Sequence, residues 1–199
     1  MESKKNKSGV SRQIRKKSSE SGMLIKRAIP VVAITGTPGC GKTTLAEKVK
    51  AQLGDDQFVF LNIADLIKTR KWYSEWDDEM NCSIFDEKLV CRELEKIVEE
   101  SKGKKGIILE FHSIDFLKRK FIDKVFVLQT DTNCLWQRLE DRKYSEAKIK
   151  ENVEAEIFME CLHSCQDRFG EDIVECLASN TKNDMQNNID IIVKYLIKN

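Results

Sequence analysis

The sequence predicts an α/β fold in which helices cover both faces of a parallel, five-stranded sheet. Five short segments are almost wholly apolar, and they alternate along the chain with segments whose apolar residues recur every three or four positions. Strands that are apolar on both sides belong in a sheet buried on both faces, and alternation with helices is typical of parallel order. The chain of 199 residues is long enough for one such domain, which we assign to residues 28–199.

Each predicted strand is a run of apolar residues bounded by polar residues or glycine. In chain order they are IPVVAIT (29–35), FVFLNI (58–63), GIILEFH (106–112), KVFVLQT (124–130) and DIVECL (172–177). Each has six or seven residues, a length that suits a strand better than a helix.

The segments between these strands carry their apolar residues on one helical face. Leu45, Val49 and Leu53 recur every four residues and predict an amphipathic helix that ends at Gly54. A short helix is predicted over 65–72, and a longer one, which ends near Gly103, carries Ile84, Leu89, Val90, Leu94, Ile97 and Val98. The next predicted helix carries Leu135 and Leu139 and can be capped by Asp131 or Thr132. A long helix with Ile149, Val153, Ile157, Cys161 and Cys165 follows, and the last helix carries Ile189, Ile192, Val193 and Leu196. The acidic stretch SEWDDEMN (74–81) is expected to connect two of these helices.

The first 27 residues differ from the rest of the chain in charge. They carry nine lysines and arginines against two glutamates, a net charge of +7, whereas the remaining 172 residues carry −6. A solvated, disordered tail is one interpretation, and an arm around RQIRKK (12–17) that serves nuclear targeting or touches RNA is the other. Nucleic-acid contact is therefore expected only indirectly or through this tail. No apolar run approaches the roughly 20 residues of a membrane helix, so no membrane association is expected.

The segment between the first predicted strand and the first predicted helix has the pattern G-x-x-x-x-G-K-[ST]. It runs from Gly36 to Thr43 as GTPGCGKT. Glycines let successive backbone N–H groups turn towards one anion, and the following helix adds its own unpaired N–H groups and positive dipole. Lys42 provides a positive charge for the β- and γ-phosphates, and the Thr43 hydroxyl is suited to binding Mg²⁺. The fold prediction therefore becomes a P-loop NTPase with ATP and Mg²⁺ as its ligands.

The remaining motifs favour a small nucleotide kinase or an ATPase over a GTP-dependent switch. The sequence has no N-K-x-D motif of the type that reads guanine. Arg138 and Arg142 are four residues apart on one helix face, where they could stabilise a phosphoryl group in transfer; the alternative is a solvated face paired with neighbouring carboxylates. Glu110 and His112 end a predicted strand, where open α/β sheets bind ligands, so we expect a Mg²⁺-linked carboxylate and an active-site histidine there.

Beyond the glycine-rich segment, several stretches together resemble the adenylate kinase isoenzyme 6 family, nuclear kinase/ATPases linked to maturation of the small ribosomal subunit. They follow the family's order over about residues 30–199 and are TGTPGCGKTTL, NIADL, DDEMNCSIFDE, EFHSID, VFVLQTDT, RLEDRKY, EIF and LASN. The resemblance does not extend to the basic tail.

The resemblance implies an adenylate-kinase-like domain with roles for the residues at matching positions. Residues 62–85 would bind the nucleoside monophosphate, and residues 141–151 would form a short lid that carries Arg142. LASN, followed by Thr181, would lie near the adenine. The implied substrate-binding residues are Asp65, Lys68 and Arg70, and the implied ATP-phosphate loop comprises Gly36, Gly39, Cys40, Gly41, Lys42, Thr43 and Thr44.

Three positions depart from the family pattern. Glu110 replaces the aspartate of a D-x-H motif and is one methylene longer, whereas His112 is retained. KRKF (118–121) replaces a Pro-Glu-Arg-Trp stretch, and Gln129 stands where an arginine is usual before TDT. The first departure is expected to change the reach towards Mg²⁺, and the other two to remove a phosphate or partner contact.

The function that the resemblance implies is Mg·ATP-dependent transfer of a phosphoryl group to a nucleoside monophosphate, AMP first, or to water. Catalysis would rest on positioning and charge stabilisation by Lys42, His112, Arg138 and Arg142. The alternative is a ribosome-assembly factor that uses ATP hydrolysis as a conformational switch, with a small-subunit ribosomal protein and the pre-ribosome as partners. A kinase for another small molecule is a third possibility. The resemblance also implies that the protein is located in the nucleus and the cytoplasm.

Overall fold

A computed structural model of the protein describes residues 29–54, 56–77 and 82–199. The predictions for the basic tail (1–27) and for part of the acidic stretch (74–81) lie outside the described residues. The strands are β1 (Val31–Thr35), β2 (Phe58–Asn62), β3 (Tyr73–Asp77), β4 (Cys82–Phe85), β5 (Gly106–Glu110), β6 (Lys124–Gln129) and β7 (Val174–Ala178). The α-helices are α1 (Lys42–Leu53), α2 (Ile63–Thr69), α3 (Glu87–Glu100), α4 (Thr132–Asp141), α5 (Glu146–Ile157), α6 (Glu160–Phe169) and α7 (Lys182–Lys198).

Five of these strands form one sheet in the order β2-β5-β1-β6-β7. All neighbouring pairs in it are parallel, so the predicted parallel five-stranded sheet is confirmed. Every residue of β1 and β5 is buried, which is why these strands read as unbroken apolar runs. Because the strands are parallel, their carboxyl ends share one edge of the sheet, and the loops that follow β1, β5 and β6 meet there.

Helices cover both faces of this sheet. On one face α2, α3 and α6 pack in a cluster that includes Leu94 and Phe169. On the other face α1 and α7 pack in a cluster that includes Phe126 and Ile192. A smaller cluster formed by Leu135, Leu139 and Ile149 joins α4 to α5. No helix within the described ranges is both long and apolar enough to cross a bilayer.

The region between α2 and α3 differs from the prediction. Ile84, which we assigned to a helix, lies in β4, and β4 pairs with β3 as an antiparallel hairpin. The helix α3 begins only at Glu87, because the Asp86 carboxylate caps it by accepting hydrogen bonds from the backbone N–H groups of the next turn. A strand of four residues is too short to show an alternating pattern, so its last apolar residues resemble the start of the helix.

The prediction of one long helix over 149–165 is wrong, because this segment forms two helices, α5 and α6, with a break in the helix between them. At the break Met159 takes a left-handed backbone conformation, with φ 50° and ψ 36°. Ile157, which we placed on the apolar face, is 58% exposed, and Glu156 is buried beside it. The break lets α5 pack on α4 while α6 packs on β6 and β7, which one straight helix could not do.

Met159 provides a test of this break. A left-handed backbone costs a non-glycine residue about 1–2 kcal/mol. We expect Met159→Gly to be at least as stable as the parent protein, because the released strain offsets the greater flexibility of the unfolded chain. Met159→Val should lower the free energy of unfolding by about 1 kcal/mol, since a β-branched side chain suits this conformation least. Urea unfolding measures both, and a valine variant as stable as the glycine variant would contradict the left-handed break.

Candidate active site

The carboxyl ends of the parallel strands border a cavity of about 730 Å³. It lies between the loop that joins β1 to α1, the residues that end β5, and one face of α5. The predicted site residues that line it are Gly39, Gly41, Lys42, Thr43, Thr44, Glu110, His112 and Arg142. The structure therefore brings Lys42 of the glycine-rich loop, the strand-end carboxylate of Glu110 and the Arg142 side chain to a single cavity.

The loop from β1 to α1 has a shape that requires glycine. Gly36, Gly39 and Gly41 have φ values of 141°, 96° and 96°, which side chains rarely allow. A Cβ atom on Gly36 would lie 2.6 Å from the backbone oxygen of Leu128, and one on Gly39 would lie 2.8 Å from a methyl carbon of Leu135. The loop is thus held between β6 and α4 with no room for larger residues.

Several backbone N–H groups in this loop have no protein acceptor. Those of Gly39, Gly41, Thr43 and Thr44 donate no hydrogen bond within the described residues. Among the residues that the structure describes, no side chain caps the start of α1, where Gly41 occupies the N-cap position. Unpaired N–H groups at a helix N-terminus, together with the helix dipole, form a site for phosphate.

Lys42 adds a positive charge to this site. Its side chain is buried, and Nζ donates hydrogen bonds to the backbone oxygens of Gly36 at 2.7 Å and Thr37 at 3.1 Å. Two carbonyl groups of the loop therefore hold the ammonium group over the loop itself. Cys40 lies behind the loop: its side chain is buried, and its carbonyl accepts a hydrogen bond from the Ser179 hydroxyl at 2.6 Å.

Glu110 ends β5 next to the end of β2. Asn62, its partner in the sheet register, donates a side-chain hydrogen bond to Oε2 of Glu110. Burial raises the pKa of the Glu110 carboxyl, while the charge of Lys42 and the Thr43 hydroxyl act in the opposite direction. The carboxylate of Glu110 and the hydroxyl of Thr43 together offer oxygen ligands of the kind that Mg²⁺ prefers.

His112 lies two residues beyond Glu110 and also lines the cavity. The residue is exposed to the cavity, but partial loss of hydration lowers the pKa of its imidazole, and the nearby charge of Lys42 lowers it further. The imidazole is therefore neutral near pH 7 and can both donate and accept a hydrogen bond. The carbonyl of His112 accepts a hydrogen bond from the Thr35 hydroxyl at 3.2 Å, which ties the histidine backbone to the end of β1.

The two predicted arginines occupy different environments. Arg138 donates hydrogen bonds to the backbone oxygens of Ser179 at 2.8 Å and Asn180 at 3.2 Å, so it holds the loop between β7 and α7. Arg142 follows the last turn of α4 and lines the large cavity. Both arginines also border a smaller cavity of about 340 Å³, together with Thr181, which caps α7.

The predicted substrate residues of α2 lie outside the large cavity. Asp65, Lys68 and Arg70 are exposed on α2 or just after it, and Ala64 is the residue from α2 that lines the cavity in the described part of the chain. The Arg70 guanidinium lies 5.6 Å from the ring centroid of Trp72. The charge of Asp65 still reaches Glu110, where it helps to raise the pKa.

Sequence reasoning missed Glu156. This buried side chain accepts hydrogen bonds from the Thr37 hydroxyl and from the backbone N–H of Thr130. A signal for it was present, because Glu156 falls three residues after Val153 and seven after Ile149, on the apolar face of the helix. A carboxylate on an otherwise apolar helix face departs from the pattern, and such a departure indicates a buried polar contact.

Comparisons with known proteins show the family of this chain. The chain matches the family model of the AAA domain over residues 32–159. An adenylate kinase isoenzyme 6 homolog from Plasmodium falciparum is 36% identical over 185 residues, which cover 87% of this chain and 98% of that protein. A second such homolog, from Caenorhabditis elegans, is 36% identical over 166 residues, which cover 83% and 88%. This chain belongs to the adenylate kinase isoenzyme 6 family.

The fold of this adenylate kinase isoenzyme 6 family member is also found among solved structures. A shikimate kinase from Bacteroides thetaiotaomicron superimposes with a TM-score of 0.56 at 15% identity, over 84% of this chain and 98% of that one. At that identity the likeness shows the fold alone, which is that of a P-loop kinase. Family and fold together give the chain a nucleotide-binding site of the kinase type.

The buried carboxyl of Glu110 in this isoenzyme 6 family member makes stability depend on pH. Folding raises the pKa of Glu110 above its ordinary value of 4.5, so ionisation destabilises the folded state. Glu110→Gln stays neutral and keeps an oxygen for Asn62. We expect the two proteins to be equally stable at about pH 4 and the variant to be more stable at about pH 7.5, where the parent carboxyl is ionised.

Urea unfolding of both proteins at the two pH values measures this difference. Glu171→Gln, in an exposed turn, controls for the loss of a carboxylate as such and should show no such divergence. A Glu110→Gln variant that is less stable than the parent at about pH 7.5 would show that the carboxylate is favourably solvated, contrary to its burial.

Proposed function

We propose that the protein catalyses Mg·ATP-dependent phosphoryl transfer to a nucleoside monophosphate, with AMP as the preferred acceptor, and that it also hydrolyses ATP. The observation that carries the proposal is the row of unpaired N–H groups in the glycine-rich loop, next to Lys42. Such a row matches the oxygens of a polyphosphate, and the large cavity in front of it leaves space for a second substrate.

The loop and its surroundings would hold the ATP. The N–H groups would bind the phosphate chain, and Lys42 would leave its carbonyl partners for the β- and γ-phosphate oxygens. The smaller cavity, bordered by Arg138 and Thr181, would take the nucleoside. Arg138 would fix the wall of that cavity through its bonds to the loop after β7.

Thr43 and Glu110 would hold the Mg²⁺ that accompanies ATP. They fit this ion because both present oxygen atoms, both line the same cavity, and the carboxylate is buried at the cavity wall. A bound Mg²⁺ supplies neutralisation of the charge on the phosphate oxygens.

The acceptor would bind on the side of the cavity that faces α2. His112, neutral near pH 7, would orient the acceptor phosphate or a water molecule by a hydrogen bond. Arg142 would stabilise charge on the transferred group from the opposite side. Asp65, Lys68 and Arg70 would contact the monophosphate after α2 moves towards the cavity, since they do not line it in this structure.

A second candidate function is ATP hydrolysis that drives a conformational cycle in small-ribosomal-subunit assembly, in the nucleus and the cytoplasm. The position of the α2 residues outside the cavity favours it, because water needs no such residues. The exposed apolar side chains of Ile157, Phe158 and Met159 also favour it, since they offer contact to a protein partner.

One assay separates the two candidates. ATP consumption by the purified full chain is measured with and without AMP, together with ADP formation. Transfer to AMP predicts that AMP accelerates ATP consumption and that two ADP form per ATP consumed. Consumption that does not change with AMP would overturn the kinase proposal and leave hydrolysis.

Lys42→Ala should lower turnover about 100-fold or more in both assays, because it removes the charge that the phosphate oxygens require. The matched control is Lys48→Ala on the exposed face of the same helix, which should keep parental turnover. Circular dichroism should show that both variants are folded. Turnover retained by folded Lys42→Ala would overturn the assignment of the phosphate site.

A further inference from the structure

Glu156 is a buried carboxylate with two hydrogen-bond partners from separate parts of the chain. It lies in the last turn of α5, is 6% exposed, and accepts through Oε2 from the Thr37 hydroxyl. Through Oε1 it accepts from the backbone N–H of Thr130 at 2.6 Å. Thr37 is the second residue of the glycine-rich loop, and Thr130 directly follows β6.

Packing alone would not favour a carboxylate in this position. A buried charge costs free energy unless hydrogen bonds compensate for it, and an apolar side chain on this face of α5 would pack beside Ile149 and Val153 at no such cost. One of the bonds that Glu156 accepts comes from the glycine-rich loop, whose next residues line the cavity. The other comes from the end of β6, the strand whose Leu128 backbone oxygen lies against Gly36 of that loop. The residue is therefore suited to fixing those segments relative to each other.

Thr37 connects Glu156 to the charge of the site. The hydroxyl of Thr37 donates to Glu156, and its carbonyl accepts from Nζ of Lys42 at 3.1 Å. Displacement of Thr37 would therefore move a partner of Lys42 as well as the backbone of the loop. The same helix that carries Glu156 lines the large cavity with Lys148 and Asn152. Glu156 thus ties that helix to the loop.

We propose that Glu156 is a positioning residue for ATP: it acts through Thr37 and Thr130 to hold the glycine-rich loop in its phosphate-binding shape and to join the loop to α5. This inference rests on the ATP-binding part of the proposed function. It does not require that AMP is the acceptor.

Two pairs of variants test the proposal. Glu156→Ala removes both acceptors, whereas Glu156→Gln can accept from Thr130 with its oxygen and donate to the Thr37 oxygen with its amide. Thr37→Val removes the hydroxyl at nearly constant shape, whereas Thr37→Ser keeps it. Mg·ATP affinity is measured by isothermal titration calorimetry, and KM for ATP and kcat are measured with each full-length variant.

Glu156→Ala and Thr37→Val should bind Mg·ATP about tenfold more weakly, as expected for loss of one hydrogen bond to a charged group. The KM for ATP should rise in parallel. Glu156→Gln and Thr37→Ser should stay within about threefold of the parent. The double variant Glu156→Ala/Thr37→Val should be no weaker than the weaker single variant, because both changes break the same bond.

The readouts separate positioning from general stability. A residue that only stabilises the fold would, when changed, lower the active fraction and hence kcat, while Mg·ATP affinity of the folded fraction and KM stayed constant. That result, or parental affinity in both Thr37→Val and Glu156→Ala, would overturn the proposal. Failure of the parent protein to bind Mg·ATP would overturn the proposed function together with this inference.

Discussion

The loop between β1 and α1 has to keep backbone N–H groups unpaired and directed to one place, and much of the surrounding structure follows from that requirement. An unpaired N–H group inside a protein is unfavourable, so a loop that was free to relax would form a compact turn in which these groups are paired. The phosphate site would then be lost. It is held from behind by the Leu128 carbonyl of β6 and from the side by Leu135 of α4. Glycine is needed at both contacts.

Three charged side chains surround this loop, and none is favourable for stability alone. Lys42 is held by loop carbonyls, Glu110 is buried at the end of β5, and Glu156 is buried at the end of α5. Each would be replaced by an apolar residue if stability were the only demand. Their convergence on one loop indicates that the site is maintained for its chemistry at some cost in stability.

Local signals in the sequence predicted the sheet, most helices and the glycine-rich loop, because apolar runs and the G-x-x-x-x-G-K-T spacing depend on near neighbours. The break between α5 and α6 and the burial of Glu156 could not be predicted in that way, since the partner Thr37 is 119 residues away. The bonds of Arg138 to the Ser179 carbonyl likewise span 41 residues. The spacing in the sequence shows that Arg138 lies on one helix face with Arg142, but only the fold shows which residues Arg138 contacts.

The central claim is that the loop at 36–44 binds the phosphates of ATP through its backbone. Amide hydrogen exchange, followed by mass spectrometry on the full chain with and without Mg·ATP, tests it directly because it reads those N–H groups themselves. Binding should slow exchange most strongly in peptides that cover 36–44, and this protection should disappear when Mg·ATP is removed. Unchanged exchange at 36–44, with protection confined to another region of the chain, would contradict the claim.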